Sequence, residues 1–380
     1  MKITDITVER FKTTGRTVSD ADGHGHPAPE PYETTSSITK IHTDEGVEGV
    51  SMGGGADLLN KIVKPLLVGR DPFFREEIWH LLNERQRLHK GSLSDRLICA
   101  VDLALWDLAG KATQLPVYKL LGATRTSVPA YASTMCGDEL SGGLSTPEEY
   151  GVFAKACQDK GYPAFKLHTW QPPIEWAPDP KMDVAACAAV REAVGPDMKL
   201  MLDPFHFYDR HDACFIGREL ENLDYYWIEE PMDEQSMSSY KWLTDQLTIP
   251  VVGPETMEGK HFTRAEWIVQ NAADISRAGV GDVGGLTPLM KTIHLCEAHG
   301  VRCEIHGGGP ANLAALCAMR IPGEFYERGL LHPFVDYDEP PPHLRSIADP
   351  LDDEGNVTIS DEPGLGWDFD WDWIQAHRVD

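Results

Sequence analysis

KLMLD (199–203), YYWIE (225–229) and IPVVGPE (249–255) each run from apolar residues into an acid. The three acids, Asp203, Glu229 and Glu255, follow one another at an interval of 26 residues. A constant interval with a strand-like lead-in predicts successive strand–helix units, each presenting one carboxylate at the C-terminal end of its strand. In a closed parallel barrel those ends converge on one mouth, where active sites lie. Converging carboxylates repel one another unless a cation joins them, and an all-oxygen donor set suits a hard divalent ion such as Mg²⁺. The competing reading, three unrelated acids beside turns in an acidic chain, leaves the equal spacing unexplained.

The surrounding sequence has the same rhythm. From VPAYAS (128–133) onward, short apolar runs alternate with helices of 10 to 15 residues. Candidate strands are AFKLH, LMLD, YYWIE, IPVVG, ADISR, VRCEI and EFYE, separated by helices such as PEEYGVFAKACQDK and KMDVAACAAVREAV. Eight such units over roughly 200 residues match a (β/α)₈ barrel, which typically needs about 250. A doubly wound sheet would favour a Gly-rich phosphate loop after its first strand, and the chain has none. Ahead of the barrel, MKITDITVERFKTT reads as a strand and SDADGHGHPAPEPY as a loop; TTSSITKIHTDEGVEGVSMGGG reads as two strands about a turn, and helical periodicity follows from about 56 to 121. The expected architecture is an α/β protein: a (β/α)₈-type barrel over 126–344 and an α+β capping domain over 1–125, with 345–380 packing back on the cap.

The 380 residues, 42% hydrophobic and 25% charged, suit a soluble globular protein. No apolar run reaches the length of about 18 that spans a membrane, and the charged, alternating start is not a signal peptide. A net charge of −26 argues against nucleic-acid partners, because phosphates would be repelled. It leaves room for a small anion where a metal reverses the local sign. The eight cysteines (99, 136, 157, 187, 214, 296, 303 and 317) include no CxxC pair and read as reduced packing residues of a cytoplasmic protein.

With these motifs in place, the chain resembles the enolase superfamily, in its mandelate-racemase-like branch, over nearly its whole length. AVDLALWDLAGK (100–111) is similar to the family's helix at the end of the capping domain, and KLH (166–168) to its Lys-x-Lys motif on the second barrel strand. Asp203, Glu229 in WIEEP and Glu255 match its metal ligands. DVGGLTPLMK (282–291), His306 in EIHGGG, Glu327 in FYERG and PGLG (363–366) match its later motifs. The resemblance implies Mg²⁺-assisted removal of the proton next to a carboxylate, through an enediolate whose charge the metal stabilises. It also suggests a homo-oligomer.

Lys166 and His168, two residues apart, share one face of a strand and point into the mouth. We assign His168 as base, because imidazole is competent near pH 7, and Lys166 as the cation for the substrate carboxylate. In the racemases the seventh-strand His is paired with a sixth-strand Asp. Alignment on the Gly-Gly pair puts Gly279 at that position and leaves Asp282 as a helix cap, so His306 is expected to lack a carboxylate and to act as a general acid on the leaving hydroxyl. Glu327, His206, His24, His26, Arg277 and Trp170 are expected substrate contacts, and Glu230 is expected to face away from the metal. The combined expectation is a dehydratase of a sugar acid (aldonate or aldarate) giving a 2-keto-3-deoxy acid. The alternatives are an epimerase, racemase or cycloisomerase using the same intermediate, or a sugar-acid binding protein without turnover.

Overall fold

The computed structural model describes residues 1–20, 23–89, 92–320 and 325–379. Ala21 and Asp22 of the expected loop, and Glu324 of the expected last strand, lie outside them. Strands β1 (Ile3–Ser19), β2 (Gly25–Thr43) and β3 (Glu48–Met52) form an antiparallel sheet. The segment read as a loop is instead the far end of a long hairpin, with Thr17 opposite Pro27 and Val18 opposite His26 after a break in register beyond Gly15. Pro27, Pro29 and Pro31 gave the segment its loop-like texture. They recur at every second residue, a spacing a strand tolerates when the missing donors fall on one edge.

Helix Asp95–Thr113 packs on this sheet. It is capped by Ser94, whose hydroxyl accepts from the Leu97 N–H, and nearly all of its apolar side chains are buried. Its Asp107 carboxylate accepts from the N–H groups of Val50 and Leu365, tying sheet, helix and C-terminal segment together. Its Asp102 accepts from the Thr287 N–H at 3.0 Å. That contact accounts for the second residue of the Gly-Gly pair: a Cβ on Gly285 would stand 2.4 Å from Asp102, and the residue has φ +126°.

Eight parallel strands follow: β4 (Ser127–Thr134), β5 (Ala164–His168), β6 (Lys199–Asp203), β7 (Trp227–Glu229), β8 (Val251–Val252), β9 (Ile275–Ala278), β10 (Arg302–Ile305) and β11 (Tyr326–Leu331). They lie in chain order from β4 to β10, and β11 returns to pair with β4, so the sheet curls into the expected barrel. No ladder joins β10 to β11 among the described residues. Two bonds from the turn after β10 cross that seam: Gly307 N–H to Glu327 Oε2 at 2.7 Å and Gly309 N–H to the Tyr326 hydroxyl at 2.5 Å.

In the C-terminal segment, β12 (Asn356–Thr358) adds to β4 and β13 (Arg378–Val379) pairs with β1 at Arg10 and Phe11. Phe11, Ile38, Val50, Phe369 and Ile374 form a shared apolar cluster there. All eight cysteines are buried and free. Among the described residues no helix is long and apolar enough to cross a membrane.

Candidate active site

The two-residue period of the strands builds the site in layers. Tyr131, Ala164, Met201, Trp227, Val252, Ile275 and Phe325 form one apolar layer inside the barrel. Two residues further along the chain from five of them come Lys166, Asp203, Glu229, Arg277 and Glu327, all buried. The charged layer therefore rests on a hydrophobic floor, and His168, two residues beyond Lys166, lies above it.

One carboxylate oxygen from each of Asp203, Glu229 and Glu255 lies within 4.8 Å of the others. This all-oxygen set fits a hard divalent cation. The charge balance fits one too. Burial raises the Glu229 carboxyl well above its usual range despite Arg277 and Lys166 nearby, and burial together with Glu255 and Asp203 raises Glu230. Glu230 Oε2 is buried without a hydrogen-bond partner among the described residues. Strand geometry ends at Glu229, and a φ of +27° at Glu230 breaks the alternation on which the expectation that Glu230 faces away rested.

Lys166 Nζ sits among Asp203 Oδ2 (3.1 Å), Glu229 Oε2 (2.8 Å) and Glu327 Oε1 (3.0 Å). Burial opposes its charge, but Glu229, Glu327 and Asp203 outweigh that and raise it well above the usual lysine value. Arg277 is completely buried. Its Nε bonds Glu255 and touches Glu229, its Nη2 bonds Glu327 and Tyr131, and its Nη1 bonds the Ile305 carbonyl. Every nitrogen is used within the protein, so Arg277 is a structural counter-ion rather than the expected substrate contact. Glu327 is equally enclosed. Burial opposes its ionisation, but Lys166, Arg277 and His306 hold it well below the carboxylate range.

The two histidines stand at opposite ends of the acid arc. His168 Nδ1 lies 2.5 Å from the Thr134 carbonyl. A carbonyl only accepts, so the proton is assigned to Nδ1, leaving Nε2, 3.0 Å from Asp203 Oδ2, as the atom that exchanges one. His306 Nδ1 lies 2.8 Å from Asp282 Oδ2, and its Nε2 lies 3.3 Å from Glu255 Oε1. His306 therefore has the carboxylate that the sequence alignment denied it. A Cβ at Gly279 would stand 2.2 Å from the His306 carbonyl oxygen, so no acid fits there. Asp282 reaches back instead, and its Oδ2 also accepts the Gly279 N–H at 2.7 Å. Burial disfavours the His306 cation, but Asp282 and Glu255 prevail and raise the group to about 10.

Over His168 lies Phe205, which sequence reasoning missed. The two rings stack at 4.6 Å and 16°, and His24 from the hairpin covers Phe205 at 4.2 Å. Phe205 and His206 both have positive φ (48° and 46°), a conformation carrying no sequence signal in non-glycine residues. Asp20 bridges His24 and His26 at the hairpin end. His206 stacks on Phe207, with its ring 6.3 Å from that of His24. Trp170 does not line the mouth: it is fully buried, edge-on to Tyr150, with its indole N–H on the Asp138 carbonyl. An apolar residue just past a strand end was read as rim and belongs to the core.

Comparison with known proteins agrees with this geometry. Residues 31–122 match the mandelate racemase / muconate lactonizing enzyme N-terminal domain, and residues 149–373 match the enolase C-terminal domain-like family. The crystal structure of D-glucarate dehydratase from Agrobacterium tumefaciens complexed with magnesium superimposes with a TM-score of 0.98 at 52% identity, covering 100% of both chains. A D-galactonate dehydratase family member from Streptomyces bingchenggensis is 31% identical, over 87% of each chain. D-galactarolactone cycloisomerase of Agrobacterium fabrum is 29% identical, over 93% of this chain and 96% of that protein. From the two-domain match, the layered barrel and the acid trio together, the chain belongs to the enolase superfamily, in its mandelate-racemase-like branch.

Proposed function

We propose that the protein is a Mg²⁺-dependent dehydratase of a sugar acid. The observation that carries this reading is the pair of histidines: each ring is fixed through Nδ1 and turns Nε2 toward the acid trio, from opposite sides. Asp203, Glu229 and Glu255 would hold the metal, whose chemistry when bound is to offset the negative charge that develops on the substrate carboxylate. His168 Nε2 takes the α-proton. Lys166 supplies positive charge beside the substrate carboxylate. His306, kept charged by Asp282, gives a proton to the departing β-hydroxyl, and the resulting enol becomes a 2-keto-3-deoxy acid. Phe205 and His24 keep water from the His168 side. Aldarates are the first substrates to try, because the magnesium-complexed relative at 52% identity is a glucarate dehydratase.

The His306–Asp282 pair also favours a second reading. With a proton-transfer group on each side, the same site suits an epimerase or cycloisomerase. Incubation with Mg²⁺ and a panel of aldonates and aldarates, assayed for 2-keto acid, separates the two. Dehydration yields the keto acid, whereas an isomeric product that carries solvent deuterium, formed with no keto acid, identifies the second reading. If chelation leaves turnover untouched, the metal-assisted mechanism fails.

A further inference from the structure

Asp203 and Glu229 are the last residues of β6 and β7 and are held in place by those strands, with Asp203 in register with His168. Glu255 is not: β8 ends at Val252, and this third acid sits three residues beyond it, in an irregular segment. The segment is gripped from two sides. The buried Glu234 carboxylate accepts from the backbone N–H groups of Glu255, Thr256 (2.8 Å) and Met257 (2.9 Å), and from the Thr256 hydroxyl at 3.1 Å. The fully buried Arg264 guanidinium donates to the carbonyls of Pro254 (3.2 Å), Glu255 (2.5 Å) and Met257 (2.7 Å). One anion collects the donors and one cation serves the acceptors of a single turn. Among the described residues, neither side chain hydrogen-bonds a carboxylate of the acid trio.

We infer that Glu234 and Arg264 are positioning residues: they do for Glu255 what strand pairing does for the other two acids, and they thereby set the affinity of the site for its divalent ion. The inference rests on the metal reading above. Glu234 bridges the turn after β7 to the turn after β8, so loosening it frees Glu255 alone and leaves Asp203 and Glu229 in place. Polar groups that orient metal ligands typically contribute 10- to 100-fold to metal affinity.

The test is calorimetric titration of the metal-free full chain with Mg²⁺, together with its melting temperature with and without the ion. Glu234→Gln keeps the shape but sets an amide against backbone donors, and should bind Mg²⁺ about 10- to 100-fold more weakly. Thr256→Val, which removes one of the four bonds, should weaken binding a few-fold. Asp107→Asn changes a buried carboxylate that likewise holds backbone N–H groups, but in the cap, and should leave Mg²⁺ affinity unchanged. Wild-type affinity in folded Glu234→Gln overturns the inference, as does an equal loss in Asp107→Asn. Should Glu234→Gln not fold, unchanged affinity in Thr256→Val overturns it. A wild-type chain that fails to bind Mg²⁺ sinks the metal reading itself, whereas wild-type binding with an unaffected Glu234→Gln sinks only the clamp.

Discussion

The His168 and His306 ends of the site are built from different materials. His168 is almost wholly buried, leans on a neutral backbone carbonyl, and is roofed by an aromatic ring. His306 keeps a third of its side chain exposed and leans on a carboxylate. Behind His168 a neutral partner fixes the tautomer without adding charge, and the carboxylate facing its Nε2, Asp203 at 3.0 Å, is shared with Lys166. An anionic partner stabilises the imidazolium, so the His306 ring stores a proton. The chemical asymmetry that dehydration requires, one base and one acid, follows from what stands behind each ring rather than from the rings themselves.

That contrast can be broken by experiment. His168→Asn should lower turnover by about 10²–10⁴-fold, the span of general acid–base catalysis, and should abolish exchange of the substrate α-proton in D₂O. His306→Asn should lower dehydration comparably while α-proton exchange persists; loss of both activities would erase the proposed division of labour. Asp282→Asn should cost about 10²-fold, near the lower end of that span. Burial opposes the His306 cation and Asp282 sustains it, so removing the anion lowers the folded-state value from about 10, and the alkaline limb of kcat/KM should move to lower pH. Phe205→Ala should reduce kcat/KM only about 2- to 10-fold, matching roughly 0.5–1.5 kcal/mol for a stacked ring pair, and should leave the His306 limb in place.

The smallest effect concerns the support of the His168 side. Tyr208, in the loop that carries Phe205, hydrogen-bonds Asp183, whose burial pushes its carboxyl up to about 7. The folded value exceeds the unfolded one, so folding takes up a proton. This contribution to stability is fully present below about pH 4 and is lost as the pH rises through about 7. Urea midpoints for Asp183→Asn should therefore vary less between pH 5 and pH 8 than those of the parent chain.

Much of this was legible beforehand because strand period and acid spacing are local properties. The eight barrel strands, the acid trio and the Lys166–His168 pair all come from residues whose sequence neighbours decide their direction. Arg277 carried the same signal, two residues beyond Ile275, yet its position at the end of ADISR read as a substrate contact; only the surrounding carboxylates reveal it as a counter-ion. The Asp282–His306 contact depends on the path of the chain between β9 and its helix, where alignment by the Gly-Gly pair assumes an acid in the strand. Phe205 owes its place to two left-handed residues in succession, which no residue type announces. The Glu234–Arg264 clamp brings together side chains 30 positions apart through backbone groups, and backbone groups leave no trace in a sequence.

The pairing of β13 with β1 bears on the order of assembly during synthesis. Arg10 and Phe11 emerge from the ribosome before the barrel, but their strand partners, Val379 and Arg378, emerge after all of it. Until then that margin of the cap sheet has open hydrogen-bonding groups, a state prone to mispairing with other nascent chains. All the barrel strands precede β13 in the chain, so a ribosome stalled short of residue 378 would release a chain carrying every barrel strand and an unsealed cap-sheet edge.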